Sequence, residues 1–561
     1  MSDSHSSAGS SRPVLMAIVA VLIAYGAAAA VQLPQMATEK ILAAHGQHDA
    51  HGAAEHEAAG EAAHDEHREA AHDEHGEAVH EAPAEAEAEG AADAHGASSA
   101  ATKGAPPPVW MVVPFALLLG AIAVLPLIHA TEHWWEENLH KFYVAAALGL
   151  VTLLYYGLMH REPIQRHFLG HAVIEPSGGV FAWELAWTIF ANAILQEFVP
   201  FIILLFSLYA ISGGIRIEGD LPAHPLTNVA FIAIGGVLAS FIGTTGAAML
   251  LIRPLLETNS ERKHVRHTVV FFIFVVCNCG GCLLPLGDPP LFLGYLQGVD
   301  FLWTLRLWQP WLVVNAALLT IYFIWDRIFC YPHETLRDVL RDEARVRPLR
   351  FMGLWPNALL LLGVVLSVAL LDTSKTLPGT NWHPWLYLRE CVLLGLVALS
   401  LGLGKESVRR ENRFNYVAIV EVAALFLGIF ICMQPALQIL DVRGPSLGIK
   451  TPATFFWITG GLSSMLDNAP TYLVFFETAR ALHAEGFQSM PKLGIPDDLL
   501  VAISLGAVFM GANTYIGNGP NFMVKTIAEK SGVRMPSFFG YMAYSGAILI
   551  PLFILVNYLF L

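Results

Sequence analysis

Residues 277–293, CNCGGCLLPLGDPPLFL, interrupt a long apolar stretch with Gly, Pro, Asn and Asp. A second interruption, GANTYIGNGPNFM, occupies residues 511–523 of another apolar stretch. Non-helical backbone is stable inside a bilayer only where protein buries it or where it lines a wet cavity. Two such breaks at corresponding places in two halves of a chain are typical of a secondary transporter's binding site. The sequence therefore predicts two broken transmembrane helices with a site between them.

The composition around these breaks is that of a membrane protein. Of 561 residues, 55% are hydrophobic and 14% are charged, and the mean hydropathy is +0.52. Soluble domains carry about 25% charged residues, so we predict a polytopic membrane protein whose first partner is lipid. The net charge of −15 comes largely from residues 41–100, where 15 Asp and Glu accompany the single Arg68. The remainder is close to neutral, which excludes nucleic acid as a partner.

The acidic segment is also rich in His and Ala, and EAAHDEH occurs at residues 61–67 and again at 69–75. With few large apolar side chains it cannot bury a core, and we predict disorder outside the cytoplasm. Either a solvated linker or a buffer for Zn²⁺ or protons fits this composition. Before it, the apolar run Val14–Val31 is either a retained membrane helix or a secretory signal.

Two further apolar stretches, at 227–256 and 451–480, contain the polar centres GTTGAA and LDNAPT. Each is better explained as a re-entrant hairpin than as a single crossing. Arginines in the 331–352 and 404–415 loops place both loops in the cytoplasm, and this assignment agrees with the hairpin interpretation.

The elements recur in the same order in both halves of the chain. Glu197 precedes the first hairpin tip by about as many residues as Glu421 precedes the second, and GDPPLF at 287–292 corresponds to GNGPNF at 517–522. We therefore predict an all-α protein built as an inverted-topology repeat, each copy having five crossings and one hairpin. The predicted units are 1–37, a membrane helix or signal; 38–108, the acidic His-rich segment; 109–330, the first repeat; 331–352, a cytoplasmic linker; and 353–561, the second repeat.

The motifs GTTGAA, NCGGCLLPLGDPPLF, LDNAPT and GNGPNF, in this order, resemble the ion transporter superfamily over residues 109–561. That superfamily includes NhaD-type Na⁺/H⁺ antiporters, arsenite permeases and carriers of citrate and dicarboxylates. The chain is most similar to the bacterial branch called sodium:proton antiporter or citrate transporter, and this resemblance implies that the protein lies in the bacterial inner membrane. This resemblance implies that hairpin tips and broken helices form two ion sites and enclose the substrate.

The tips and breaks carry oxygen ligands suited to Na⁺, supplemented by the partial charges of interrupted helix ends. The residues expected to bind ion or substrate are Thr244, Thr245, Asn278, Gly287, Asp288, Asp467, Asn468, Thr471, Asn513, Thr514, Asn518 and Asn521. A carboxylate at membrane depth is a functional candidate, so Asp288 and Asp467 either exchange H⁺ for Na⁺ or only cap helices. Glu197 and Glu421 are supporting acidic residues that either orient the hairpins or carry protons.

These residues favour Na⁺/H⁺ antiport, with Na⁺- or H⁺-coupled uptake of citrate or another carboxylate as the alternative. The sequence contains neither an HExxH motif nor a P-loop, so we predict no enzymatic activity and no cofactor besides Na⁺ and H⁺. Cys277, Cys279 and Cys282 more readily explain close helix packing than a metal site, and no metal is assigned beyond Na⁺. A homodimer is compatible with this architecture.

Overall fold

The computed structural model describes residues 11–43, 105–170, 172–335, 346–482 and 495–561, with the single residues 337 and 342. Most of the predicted acidic His-rich segment, at 44–104, lies outside the described residues. The expectations for its disorder, its side of the membrane and its metal binding therefore stay predictions.

Helices dominate the described part of the chain and confirm the all-α polytopic class. Six of them are long and apolar enough to cross a membrane, and the number rises to eight if two bent helix pairs each form one span. The six are Ser11–Ala30, Asn138–Leu158, Trp183–Ser212, Pro225–Ile242, Trp303–His333 and Phe538–Phe560. The sequence predicts more crossings because it counts broken or shorter helices, such as Leu354–Leu370, as spans.

The helices of the first half are named in chain order. They are α1 (Ser11–Ala30), α2 (Val113–Val124), α3 (His129–Glu136), α4 (Asn138–Leu158), α5 (Trp183–Phe190), α6 (Val199–Ser212), α7 (Pro225–Ile242), α8 (Thr244–Thr258), α9 (Arg266–Val276), α10 (Pro289–Leu296) and α11 (Trp308–Trp325). A π-helical turn, Ala191–Phe198, joins α5 to α6. A short antiparallel pair, β1 (Ile164–Arg166) and β2 (Ala172–Ile174), lies between α4 and α5.

The second half continues the numbering. Its helices are α12 (Leu354–Leu370), α13 (Leu388–Leu403), α14 (Glu406–Glu411), α15 (Val417–Cys432), α16 (Gln434–Arg443), α17 (Pro452–Ser463), α18 (Asn468–Ala481), α19 (Asp497–Met510), α20 (Gly519–Lys530) and α21 (Phe538–Phe560). Proline occupies the first turn of several of them, for example Pro225 and Pro289. The missing N–H costs nothing there, because the first turn has no intrahelical acceptor for it.

The first apolar stretch with a polar centre forms a hairpin of α7 and α8. Gly243 joins the two helices with φ +79°, a conformation that glycine adopts without strain. At the opposite end, Asn228 and Asn259 exchange hydrogen bonds of 2.9 and 2.8 Å between their side-chain amides. The start of α7 therefore lies beside the residue that follows α8, as a re-entrant hairpin requires.

The second polar centre has the same form in α17 and α18. The two helices pack together, and the rings of Phe455 and Phe475 lie 6.3 Å apart near the open end. Asp467 precedes α18 and caps it, accepting a hydrogen bond of 3.1 Å from the backbone N–H of Ala469.

Both breaks lie where glycine allows two backbone segments to approach each other. Between α9 and α10, a Cβ atom on Gly287 would collide with the carbonyl oxygen of Gly281. Between α19 and α20, a Cβ atom on Gly517 would lie 2.6 Å from the carbonyl oxygen of Gly511. In each break the close pair is six residues apart, so the two interruptions share a local shape.

The two halves exchange partners at these elements. The arm α8 of the first hairpin packs on the half-helix α20, and the arm α18 of the second packs on the half-helix α10. This reciprocal packing buries both breaks in protein, which is the condition for non-helical backbone at membrane depth. The division into repeats and its inverted orientation stay predictions.

A two-stranded antiparallel ribbon joins the halves at another place. Strand β3 (Arg216–Asp220) connects α6 to α7, and β4 (Arg347–Met352) precedes α12; in the pairing, Glu218 faces Arg350. Of the helices that the two strands connect, α6 packs against α12 and α13, and α7 packs against α9 and α11.

Candidate functional site

The centre of the candidate site is the carboxylate of Asp288, which is 1% exposed. Its Oδ1 accepts hydrogen bonds of 3.0 Å from the Thr244 hydroxyl and 3.0 Å from the Asn518 side-chain nitrogen. Its Oδ2 accepts a hydrogen bond of 2.6 Å from the side-chain nitrogen of Asn468. Each donor comes from a different element, so both hairpin tips and the second break meet at the first break.

Helix starts explain how these four side chains converge. Thr244 and Asn468 are the first residues of α8 and α18, the outgoing arms of the two hairpins. Asp288 and Asn518 directly precede the half-helices α10 and α20. Four helix N-termini, each with a partial positive charge, therefore surround one carboxylate, and this arrangement stabilises negative charge.

A second layer of amides lies on the side of the second break. Asn278 donates a hydrogen bond of 2.8 Å to Asn521, which donates at 2.9 Å to the carbonyl oxygens of Gly511 and Thr514. Asn518 also donates at 3.0 Å to the carbonyl oxygen of Cys277. The structure thus brings together the predicted residues Asn278, Asn518 and Asn521 with Asp288.

The other predicted residues of the second half lie nearby with local roles. Thr471 donates a hydrogen bond of 3.0 Å to the carbonyl oxygen of Asp467. Asn513 donates a hydrogen bond of 2.9 Å to the hydroxyl of Ser464, and Thr514 donates one of 2.5 Å to the carbonyl oxygen of Ser464. The Asp467 carboxylate caps α18 and forms no hydrogen bond with Asp288 among the described residues.

Two serines in the incoming hairpin arms belong to the site, although the sequence did not single them out. Ser240 donates a hydrogen bond of 2.6 Å to the carbonyl oxygen of Gly280, and Ser464 receives the bonds from the second break. Each serine holds a hairpin against the break of its own half. The sequence feature that could have identified them is a small polar residue three or four positions before each hairpin tip.

Some buried oxygens of the site have no hydrogen-bond partner in the described part of the chain. They are the side-chain carbonyl oxygens of Asn468 and Asn513. A buried polar atom without a partner is unfavourable, and a hard cation that prefers oxygen ligands would satisfy it.

A cavity of about 70 Å³ lies against the first hairpin tip. Thr244, Thr245 and Gly287 form its polar wall, and side chains of α6 and α15, including Leu208 and Ile419, form its apolar wall. A single water needs roughly 15 Å³ by such a measure, so the cavity has space for a few waters or one small ion. Of the described residues that line it, none is Lys or Arg.

The two supporting glutamates lie apart from Asp288 and differ from each other. Glu421 forms an ion pair with Lys141, whose nitrogen lies 2.6 Å from Oε1. Glu197 is buried and accepts a hydrogen bond of 3.3 Å from Gln297. The two residues are therefore in different electrostatic surroundings, although the sequence places them at corresponding positions.

No soft metal centre emerges from the described residues. Cys277, Cys279 and Cys282 are free and buried. A group of His267, Asp326 and Cys330 has ligand atoms within 4.8 Å of one another, but the Arg262 guanidinium donates to both oxygens of Asp326 at 2.5 and 3.0 Å. The positively charged guanidinium of Arg262 thus already occupies the place where a metal ion would bind this group.

Comparison with known proteins adds an independent finding. Residues 104–561 match the family described as "Putative citrate transport". Among curated relatives, a 46 kDa membrane protein of Mycobacterium leprae is 25% identical over 344 residues, 58% of this chain and 74% of that protein. An uncharacterized transporter of Mycobacterium tuberculosis is 26% identical over 346 residues, with the same coverage of both chains.

Proposed function

This chain belongs to the family described as "Putative citrate transport". From its candidate site we propose that it is a secondary transporter that exchanges Na⁺ for H⁺. Its relatives are membrane transporters, and the chain is a transporter rather than an enzyme. One observation carries the choice of ion: the shared site of both hairpins and both breaks centres on a carboxylate. In the part of the chain that the structure describes, Asp288 forms no ion pair.

The hydrogen bonds of Asp288 suggest how Na⁺ could bind. Asn468 presents its NH₂ group to the carboxylate, and its buried carbonyl oxygen has no partner among the residues that the structure describes. A half-turn of this amide would exchange the two atoms and direct an oxygen at the space beside Asp288. A Na⁺ ion there would be bound by the Asp288 carboxylate and the Asn468 carbonyl oxygen, two hard ligands.

The same rotation would also serve a proton. A protonated Asp288 becomes a hydrogen-bond donor at one oxygen, and it would then need an acceptor where Asn468 now donates. The Asn468 carbonyl oxygen would be that acceptor. H⁺ and Na⁺ would thus compete for one carboxylate through one rearrangement, and such competition is sufficient for antiport.

Contacts between loops support the topology that this function requires. Arg306 binds Asp497 at 2.6 Å and Lys375 binds Asp300. With the 331–352 and 404–415 loops in the cytoplasm, the predicted order of crossings places all four residues on the outer side. The Arg266 side chain donates at 2.7 Å to the carbonyl oxygen of Arg534, on the predicted cytoplasmic side.

Coupled uptake of citrate or another carboxylate is the second candidate. The four helix N-termini around Asp288 favour negative charge, as an anion site would require. However, Asp288 already supplies that charge, and the described residues that line the adjoining cavity include no basic side chain. Asp288 would repel a polyanion in this position, and we therefore rank cation exchange first.

Flux measurements on proteoliposomes test the proposal. With a pH-sensitive dye inside, an inward Na⁺ gradient should drive protons out, whereas K⁺ should produce no signal. Addition of Li⁺ tests selectivity among small cations. Uptake of labelled citrate without any Na⁺-driven proton flux would reject antiport and establish the second candidate.

A further inference from the structure

A second buried acidic group lies outside the Asp288 site, in the π-helical turn Ala191–Phe198. Near the end of this turn lies Glu197, which is 8% exposed. The Oε2 atom of Glu197 is buried and has no hydrogen-bond partner among the described residues. Isolated π turns are rare and occur frequently at functional sites. The turn places Glu197 where α6 meets the ends of two elements from the Asp288 site.

The surroundings of Glu197 come from several elements. Gln297, which follows α10, donates to its Oε1 at 3.3 Å. From α18, Glu477 and Arg480 are the charged residues that act on it, and they bind each other at 2.5 Å. The hydroxyl of Tyr387, the residue before α13, donates a hydrogen bond of 2.7 Å to the carbonyl oxygen of Leu195 in the π turn. The facing part of α15 is aromatic, with Phe430 6.2 Å from Phe198.

Charge balance distinguishes the two neighbouring carboxylates. Glu477 has the guanidinium of Arg480, whereas Glu197 has no ion pair among the described residues. An unpaired carboxylate costs far more free energy to bury than a neutral carboxylic acid. In the acid form the Glu197 carboxyl group carries an O–H, so it can also donate a hydrogen bond.

We propose that Glu197 is a second proton-binding site, which exchanges its proton with the aqueous phase past Gln297 and Arg480. Gln297 is partly exposed and the Arg480 side chain is 36% exposed, so protein does not enclose this end of the site. The proton binds at a carboxyl oxygen of Glu197 and leaves to water, while Glu477 keeps its ion pair with Arg480.

This site also has a route to the Asp288 site. Gln297 directly follows α10, whose first turn carries Asp288, and α18 begins at Asn468 and carries Glu477. A displacement of α10 or α18 on ion binding would therefore change the surroundings of Glu197. Insofar as it concerns coupling, this inference rests on the proposed Na⁺/H⁺ exchange.

Infrared difference spectroscopy of the full-length protein tests proton binding without any transport. Spectra recorded between acidic and alkaline buffers should show C=O bands of buried carboxylic acids, one from Glu197 and one from Asp288. We expect the Glu197 component, identified as the part that is lost in Glu197→Gln, to persist with a shift in Glu197→Asp and to remain unchanged in Glu184→Gln and in Asp288→Asn. Glu184 is an exposed carboxylate on the neighbouring helix α5 and serves as the matched control. An unchanged band in Glu197→Gln would overturn the proposal.

Transport measurements then test coupling. The ratio of Na⁺-driven H⁺ flux to ²²Na⁺ exchange should fall at least about tenfold in Glu197→Gln, or about 1.4 kcal/mol. An unaltered ratio would remove Glu197 from the coupling mechanism. If the wild-type protein moves no Na⁺, the proposed function fails, and the infrared band still decides whether Glu197 binds a proton.

Discussion

The Oδ2 atom of Asp288 lies 2.6 Å from the side-chain nitrogen of Asn468, a residue 180 positions later in the chain. One comes from the broken helix of the first half and the other from the hairpin of the second half. The hydrogen bond therefore joins two halves that the resemblance assigns to separate ion sites. In this conformation the two sets of ligands share one carboxylate.

Replacement of Asp288 by Asn keeps the side-chain shape and removes the negative charge. We expect Na⁺-driven proton flux to fall at least about tenfold, equivalent to about 1.4 kcal/mol in the barrier. Asp467→Asn is the comparison variant. An amide oxygen at position 467 can still accept the hydrogen bond from the Ala469 N–H and cap α18, so we expect a smaller loss of proton flux. Wild-type flux in Asp288→Asn would reduce Asp288 to a helix cap and favour carboxylate uptake.

The close approach of Gly281 and Gly287 predicts a steric effect. A Cβ atom at position 287 would collide with the Gly281 carbonyl oxygen, so Gly287→Ala should destabilise the protein by about 1–3 kcal/mol. Thermal unfolding in detergent would show this as a lower Tm. Gly519→Ala is the matched control, because no atom lies within 4 Å of its added Cβ. Equal Tm values for the two variants would contradict the geometry of the break.

Accessibility of introduced cysteines tests the predicted topology. Ser177, Arg350 and Thr380 are exposed, and Arg350 belongs to the β3–β4 ribbon. Cysteines at 177 and 380 should react with an impermeant maleimide added outside, and a cysteine at 350 only after the membrane is opened. Reaction of position 350 from outside would overturn the inverted orientation.

A carboxyl group outside the membrane spans gives a pH-dependent prediction. Burial, together with nearby Glu261 and Asp342, raises the pKa of Asp220 above its ordinary value. Because the folded protein binds this proton more tightly than the unfolded chain, Asp220 contributes stability below its ordinary pKa of about 3.9, and that contribution is lost as the pH rises through the folded pKa.

Asp220→Asn should therefore raise the Tm near about pH 7, where the wild-type carboxylate is ionised, and weaken the fall in Tm between acidic and neutral pH. Thermal melts over this range measure both effects. Glu175→Gln, at an exposed position, should leave the profile unchanged. A parallel profile for wild type and Asp220→Asn would contradict this assignment.

Local sequence was sufficient to predict the helix interruptions at both hairpin tips and both breaks, and the re-entrant path of the hairpins stays a prediction. Glycine, proline and capping side chains within apolar runs specify where helices stop and restart, and these signals are short-range. Asp288 was found in this way, because a carboxylate beside a break is conspicuous at membrane depth.

Other features depend on tertiary packing, which the sequence does not reveal. Asp467 and Asn468 are neighbours, and only the direction of α18 decides that the amide faces Asp288 while the carboxylate caps the helix. The proximity of Glu477 to Glu197 likewise requires the end of α18 to meet the π turn. No spacing in the chain predicts either contact.

The β3–β4 ribbon has a mechanical consequence. It contains parts of both covalent connections between two packed groups, α6 with α12 and α13 on one side and α7 with α9 and α11 on the other. A sliding motion of one group past the other would disturb the strand register in which Ile217 pairs with Phe351, whereas a tilt about the ribbon would keep that register. We therefore expect the ribbon to act as a hinge that resists sliding and permits tilt.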